Sequence, residues 1–261
     1  MDLGISGRTA LVLGGGGGIG GAIGQVLAEE GAGVAFADID GQAARRSAEA
    51  VESAGGKAVG IQWDLGDLGA VDANVRLVED SLGPVDILVN NTGGPPPSAV
   101  LGLDHEIWSK HFQSMVLSVI AITDRVVPLM KNRGWGRVIT STSSGVISPI
   151  PNLGLSNTLR AGLLGWSKTL AREVAADGIT CNVVLPGRIG TERIRFLDRA
   201  KAEREGKSVE QTTAESIASI PVRRYGEPHE YASVVAFLAS VQAAYVTGSV
   251  VRVDGGLITS I

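Results

Sequence analysis

Short apolar runs alternate along this chain with longer stretches in which apolar residues recur every three or four positions. Residues 9–13, 33–37, 58–62, 85–89, 137–140, 179–185 and 249–253 are rich in aliphatic and β-branched side chains and too short for buried helices, so they predict seven strands. Between the first of them, residues 20–30, 42–54 and 68–82 carry apolar positions at helical spacing with charges on the other face, which predicts amphipathic helices. Parallel neighbours need crossover connections, so strand, helix, strand in repetition predicts an α/β fold, one doubly wound parallel sheet of about seven strands with helices on both faces. The rhythm runs from end to end and predicts a single domain over 1–261. Two stretches interrupt it, Gly93-Gly94-Pro95-Pro96-Pro97 directly after a strand and a charged, lid-like segment at about 190–217. Both are expected to be site loops.

Composition narrows the ligand. The 261 residues carry 23 Lys+Arg against 27 Asp+Glu, a net charge of −4 with no basic cluster, which argues against nucleic acid or an anionic membrane as partner and leaves small molecules. Cys181 is the one cysteine, so neither an intrachain disulfide nor a cysteine-based metal site can form, and no metal is expected. The opening residues lack a charged region followed by a long apolar one, and no 18-residue window is uninterruptedly apolar; a cytoplasmic protein is expected.

Glycine, at 36 residues, is used locally. Leu11-Val12-Leu13 runs into Gly14-Gly15-Gly16-Gly17-Gly18-Ile19-Gly20, after which the helical pattern begins at once. A strand, a turn without side chains and a helix N-terminus let backbone N–H groups and the positive end of the helix dipole approach a pyrophosphate. Asp38 closes the next strand roughly 18 residues beyond Gly20, where a carboxylate accepts hydrogen bonds from adenosine ribose hydroxyls. The same carboxylate repels a ribose 2′-phosphate, and neither the glycine turn nor Ile39 supplies a cation to offset it. The expectation is a Rossmann-type fold binding NAD in preference to NADP.

With those residues in place, the chain resembles the short-chain dehydrogenase/reductase family over essentially its whole length. Gly14, Gly18 and Gly20 match the family's TGxxxGxG turn, with Leu13 in place of Thr; Ile19 lies inside it. Asp64-Leu65 matches the acidic pair that contacts adenine, and Asn90-Asn91-Thr92-Gly93 matches NNAG, the resemblance assigning Asn90 and Gly93 to the cofactor site. Pro186-Gly187-Arg188-Ile189-Gly190-Thr191 looks like the PGxIxT segment that holds the nicotinamide amide, through Pro186, Gly187, Ile189 and Thr191. Residues 220–228 and 246–256 are also family-like.

The resemblance implies a catalytic tetrad of Asn, Ser, Tyr and Lys, and here the chain departs from it. Ser143 occupies the serine position, but the tyrosine position thirteen residues later is Ser156, the lysine position is Arg160, and the family spacing from Trp108 puts Met115 where Asn is expected. An alkyl hydroxyl is far less acidic than a phenol and shorter, so Ser156 cannot simply replace it. Arg160 offers a fork of donors suited to the nicotinamide ribose but stays protonated, so it binds without relaying. Ser143 remains as a donor toward a substrate oxygen. His111, one helical turn before Met115, titrates in the useful range and is a candidate replacement acid/base, although a histidine packed or solvated on that helix is the better explanation; His105 and His229 fit surface positions at helix starts. None of Tyr225, Tyr231 and Tyr245 recreates the motif spacing.

Two functions compete on these grounds. One is an NAD(H)-dependent oxidoreductase acting on a small alcohol or ketone by an atypical proton route, with Ser143, Ser156 and Arg160 as its catalytic-site residues. The other is a weak or inactive NAD-binding subunit or redox sensor within an oligomer. Arg188, Arg193 and Arg195 lie near the expected pocket and suit either an acidic substrate or a solvated lid. Apolar faces around 108–130 and 152–175, including Leu159, Leu163, Trp166 and Leu170, predict a homo-oligomer, a tetramer or a dimer.

Overall fold

The computed structural model describes residues 2–261. Seven strands, β1 Thr9–Leu13, β2 Gly33–Asp38, β3 Ala58–Gln62, β4 Ile87–Asn91, β5 Gly136–Ser141, β6 Ile179–Pro186 and β7 Val250–Val253, form one sheet in the order β3-β2-β1-β4-β5-β6-β7, and every pairing is parallel. Alternate residues of each strand divide the core. Ala10, Val12, Val34, Phe36, Ile87, Val89 and Val184 face one apolar layer; Leu11, Leu13, Ala35, Ala37, Leu88, Val138 and Cys181 face the other. The first layer is covered by α1 Gly18–Glu29, α2 Gly41–Ser53 and α9 Pro228–Ala239, through Ile23, Leu27, Ala44, Val51, Tyr231 and Val235. The second is covered by α3 Val71–Leu82, α5 Ser118–Arg133 and α6 Gly154–Val174. This is the single-domain, doubly wound Rossmann-type architecture expected from the alternation of periods.

Strand order reverses between β1 and β4, so the helices that follow them leave on opposite faces and open a crevice at the carboxyl edge of the sheet. β4 reaches two residues beyond the expected end at Val89, because Asn90 and Asn91 pair in register with Thr140 and Ser141. Polar side chains had marked that end in the sequence, but backbone pairing continues wherever such side chains find partners.

The long apolar helix after β4 is three pieces: α4 His105–Phe112, a π-helical turn Gln113–Leu117, and α5. Asp104 caps its start by accepting the Glu106 N–H at 2.8 Å, which leaves His105 as an exposed first-turn residue. It runs for 29 residues, and an 18-residue window within it reaches a mean hydropathy of 1.4, so its length and composition would suit a membrane span. Its apolar side is instead used inside the chain. Met115, Val116 and Val119 pack on Leu155, Leu159 and Leu163 of α6, and Ile122, Val126 and Met130 join the second sheet layer.

Residues 190–217, expected as a loop-like lid, are largely helical: α7 Glu192–Glu205 and α8 Val209–Ala218, the latter opened by a Ser208/Gln211 capping box. Cys181 lies in mid-β6, fully buried, and burial pushes its thiol pKa up to about 12.

Candidate active site

A cavity of about 1300 Å³ opens along the carboxyl edge of the sheet and is lined by the ends of β1, β2, β4, β5 and β6 together with α6 and α7. At its first end the glycine turn has the geometry of an anion cradle. Gly14 and Gly18 adopt positive φ, 60° and 54°. A Cβ at Gly20 would collide with the Gly14 carbonyl oxygen, so only glycine lets α1 start this close to the turn. No side chain caps α1, whose first residues Gly18 and Ile19 line the cavity with N–H groups that a helix start leaves without intrahelical partners. Asp38, half-buried, accepts the Gly16 N–H at 2.9 Å on one oxygen and the Asp40 N–H at 3.0 Å on the other. A carboxylate has about four lone-pair sites, so two remain for ligand hydroxyls. Asp64 and Leu65 line the same end, with the Asp64 carboxylate accepting the Gly66 N–H at 2.8 Å.

Of the asparagine pair, the structure uses the second. Asn90 is buried beneath the cavity floor, donating to Thr123 Oγ1 at 3.3 Å, and does not line the cavity. Asn91 does line it, and its Nδ2 lies 3.3 and 3.4 Å from the carbonyls of Leu13 and Gly14, bracing the glycine turn. The reading that gave Asn90 to the cofactor is corrected by strand parity: adjacent residues point to opposite faces. Gly93, Pro186, Gly187, Ile189 and Thr191 all line the cavity.

At the other end, Ser143, Ser156 and Arg160 come together on the same cavity. Ser143 lies two residues past the end of β5 and caps a short 3₁₀ turn, its Oγ accepting the Gly145 N–H at 3.1 Å, so its own proton is free to be donated into the cavity. Ser156 and Arg160 are one turn apart on α6 and share a face. Arg160 is buried, and its guanidinium donates to the carbonyls of Thr92 at 2.9 Å, Gly93 at 3.0 Å and Ser141 at 3.5 Å. Its cation therefore ties the ends of β4 and β5 together, a use of its donors that the ribose-binding expectation did not include. Burial, with repulsion from Arg193, lowers its pKa to about 10, which leaves it charged near neutrality. Met115 sits in the π-helical turn, buried and lining the cavity.

Among the described residues no tyrosine lines the cavity. Tyr231 is fully buried on the far side of the wall, its hydroxyl 2.9 Å from Ser141 Oγ and 3.2 Å from the Val184 carbonyl oxygen, and burial raises its pKa. Tyr225 donates to Asp198 at 2.6 Å, and Tyr245 is exposed. His111 does reach the cavity; desolvation and neighbouring Lys110 hold its pKa below the usual histidine value, so it is a neutral imidazole at neutral pH.

The arginines near α7 separate into two kinds, which the sequence could not sort. Arg188 pairs with buried Asp198 at 2.9 Å and Arg195 with Glu192 at 2.7 Å. Arg193, half-buried, instead spans the cavity mouth to donate to the Pro95 carbonyl at 2.6 Å.

A doubly wound sheet, a glycine turn at its switch point and an acid closing the second strand define the class: a dinucleotide-binding α/β protein. The family described as "Enoyl-(Acyl carrier protein) reductase" matches residues 15–258. The chain is 35% identical over 255 residues to 3-oxoacyl-[acyl-carrier-protein] reductase FabG of Vibrio cholerae, covering 97% of this chain and 98% of that protein. It is 36% identical over 256 residues to nodulation protein G of Azospirillum brasilense, covering 97% and 99%. The crystal structure of L-sorbose reductase from Gluconobacter frateurii, complexed with NADPH and L-sorbose, superposes with a TM-score of 0.94 at 30% identity, covering all of both chains. The chain belongs to the short-chain dehydrogenase/reductase family of oxidoreductases.

Proposed function

We propose that the chain is an NAD(H)-dependent oxidoreductase acting on a small alcohol or ketone through a proton route that uses no tyrosine. The observation that carries this reading is the meeting, in one cavity, of the glycine turn and Asp38 at one end with the free Ser143 proton at the other. A bound nicotinamide supplies or takes up the hydride. In the direction of reduction, the carbonyl oxygen gains negative charge as the hydride reaches its carbon, and the Ser143 hydroxyl donates a hydrogen bond to that oxygen, where donation matters most. The proton that completes the alcohol is delivered from bulk solvent through water in the cavity, since no tyrosine among the described residues lines it and an alkyl hydroxyl such as Ser156 offers no acidity beyond that of water. Arg160 fixes the Thr92–Gly93 backbone and keeps two N–H donors of its five for the ligand side. Gly14, Gly18, Ile19, Gly20, Asp38, Asp64, Leu65, Gly93, Pro186, Gly187, Ile189 and Thr191 make the cofactor site, with Asn91 as its brace.

NAD is preferred because the carboxylate of Asp38 has lone pairs left for two ribose hydroxyls and repels a 2′-phosphate. The L-sorbose reductase was solved with NADPH, so this preference belongs to this chain's own residues. We place the protein in the cytoplasm, with α7 and α8 as a lid and the chain as a homo-oligomer, a tetramer in the first instance. Leu159 and Leu163 are used in the chain's own core, so the surface that supports association is elsewhere: Ile107, Phe112 and Leu117 stand exposed on one long helix. Sedimentation at micromolar concentration checks it, and a monomer removes it.

The functional reading is tested by incubating purified protein with NAD and a panel of secondary alcohols, and with NADH and the matching ketones. A change in reduced-nicotinamide absorbance above a protein-free control supports it. Tight NAD binding without turnover, persisting after Ser156→Tyr with Arg160→Lys restores the family residues, replaces it with the non-catalytic NAD-binding subunit.

A further inference from the structure

The oxidoreductase reading leaves open what the substrate carries besides its alcohol or carbonyl, and the inference here rests on that reading. The cavity is electrically divided. Its carboxylates Asp38 and Asp64 stand at the glycine-turn end, and Glu192, at the other end, is taken by Arg195. Arg188 and Arg204 have carboxylate partners in Asp198 and Glu205. Among the described residues three cations that line the cavity have no carboxylate within ion-pair distance, Lys201 and the guanidiniums of Arg160 and Arg193.

These two guanidiniums come from different helices and converge on Gly94. An atom added at the Gly94 Cβ position would lie 3.0 Å from Arg193 Nη2 and 3.7 Å from Arg160 Nη2. Arg193 uses one of its five N–H donors, on Pro95, and Arg160 uses three, on Thr92, Gly93 and Ser141. Both N–H bonds of Arg160 Nη2, the nitrogen nearest Gly94, are taken by Thr92 and Gly93, so Arg160 contributes its charge there while Arg193 keeps four donors, and neither cation has a countercharge on the cavity that Ser143 and Ser156 also line. Arg193 also lies in the first turn of α7, whose dipole adds to the positive potential. Planar guanidinium groups with parallel N–H bonds match a carboxylate in shape as well as sign.

We propose that the substrate is a short oxo acid or hydroxy acid whose carboxylate seats against Arg193, with Arg160 behind it, while its carbonyl or hydroxyl oxygen faces Ser143. Arg193 is then the residue that sets specificity for an acid over the corresponding ester or ketone.

The test is calorimetric titration of acetoacetate and 2-oxobutanoate, and in parallel of methyl acetoacetate and 2-butanone, into protein with and without saturating NADH. The native chain, Arg193→Gln and Arg193→Lys are compared, and NADH affinity is measured in each. Expected are oxo acids bound about tenfold or more tighter than the neutral compounds, a preference abolished by Arg193→Gln and partly kept by Arg193→Lys, with NADH affinity within about threefold throughout. Equal binding of acids and neutral compounds by the native chain would overturn the proposal. So would a fall in NADH affinity in Arg193→Gln as large as the fall for the acids, which would assign the guanidinium to the cofactor's phosphates. Arg193-dependent binding of the acids with no nicotinamide turnover in either direction keeps the anion pocket and removes the oxidoreductase reading instead.

Discussion

The two ends of the cavity differ in how they are built. The glycine-turn end is built by backbone: N–H groups of Gly18 and Ile19, a carbonyl–helix contact that only Gly20 permits, and two carboxylates, Asp38 and Asp64, themselves held by backbone N–H groups. The other end is built by side chains, with a free hydroxyl proton on Ser143, a hydroxyl on Ser156, and guanidiniums from α6 and α7 aimed at one loop. A backbone site tolerates little change because its geometry is the fold itself. A side-chain site can be rewritten one residue at a time without disturbing the sheet, and the serine and arginine in α6 are consistent with such rewriting.

That contrast can be broken experimentally, and the largest effect should be at the side-chain end. Ser143→Ala is expected to lower turnover by ~10² to 10³ while leaving NAD affinity nearly unchanged, the cost of one donor lost to a developing oxyanion. Steady-state kinetics beside calorimetry will separate the two, and an equal loss in both would erase the division of labour. Next in size is Gly20→Ala, whose methyl must displace the Gly14 carbonyl; overpacking of this kind costs ~1–3 kcal/mol, or ~5- to 150-fold in NAD affinity if it falls wholly on the bound state.

Arg160→Ala sharpens the comparison because its side chain serves both ends. Three carbonyls lose their donor, each such loss costing ~1–3 kcal/mol, while relief of a buried charge offsets part of it. A net loss of ~2 kcal/mol is expected, a fall in melting temperature of several degrees for a chain of this size, together with weaker NAD binding. The smallest effect belongs to Asp38→Ala, which should narrow the preference for NAD over NADP by about tenfold or less, the worth of charge-assisted hydrogen bonds at a half-exposed carboxylate. Parallel titrations of the two cofactors decide it, and an unchanged ratio would remove Asp38 from that role.

What could be read from the sequence follows the same division. The strands at 9–13 and 58–62 were legible to the residue, and the glycine turn with Asp38 was legible because backbone geometry demands particular residue types at particular spacings. Asn90 was misplaced because two adjacent asparagines at a strand end look alike until the register says which faces the crevice. The separation of Arg193 from Arg188 and Arg195 was not legible, since it depends on which carboxylate each meets after α7 has docked. Nor was the π-helical turn at Gln113–Leu117, where one extra residue per turn leaves no mark in the apolar period.

Cys181 turns the fold into its own clock. A thiol reacts as its thiolate and only where reagent can reach it, and this one, the single cysteine of the chain, is sealed in mid-β6 with its pKa pushed up to about 12. Alkylation must therefore wait for the sheet to open, and its rate under native conditions counts those openings. A ligand that binds only the closed form slows the count by the factor one plus its concentration over Kd. Affinities for dinucleotide or oxo acid can thus be read from a labelling rate in the unaltered chain, even for ligands with no optical signal.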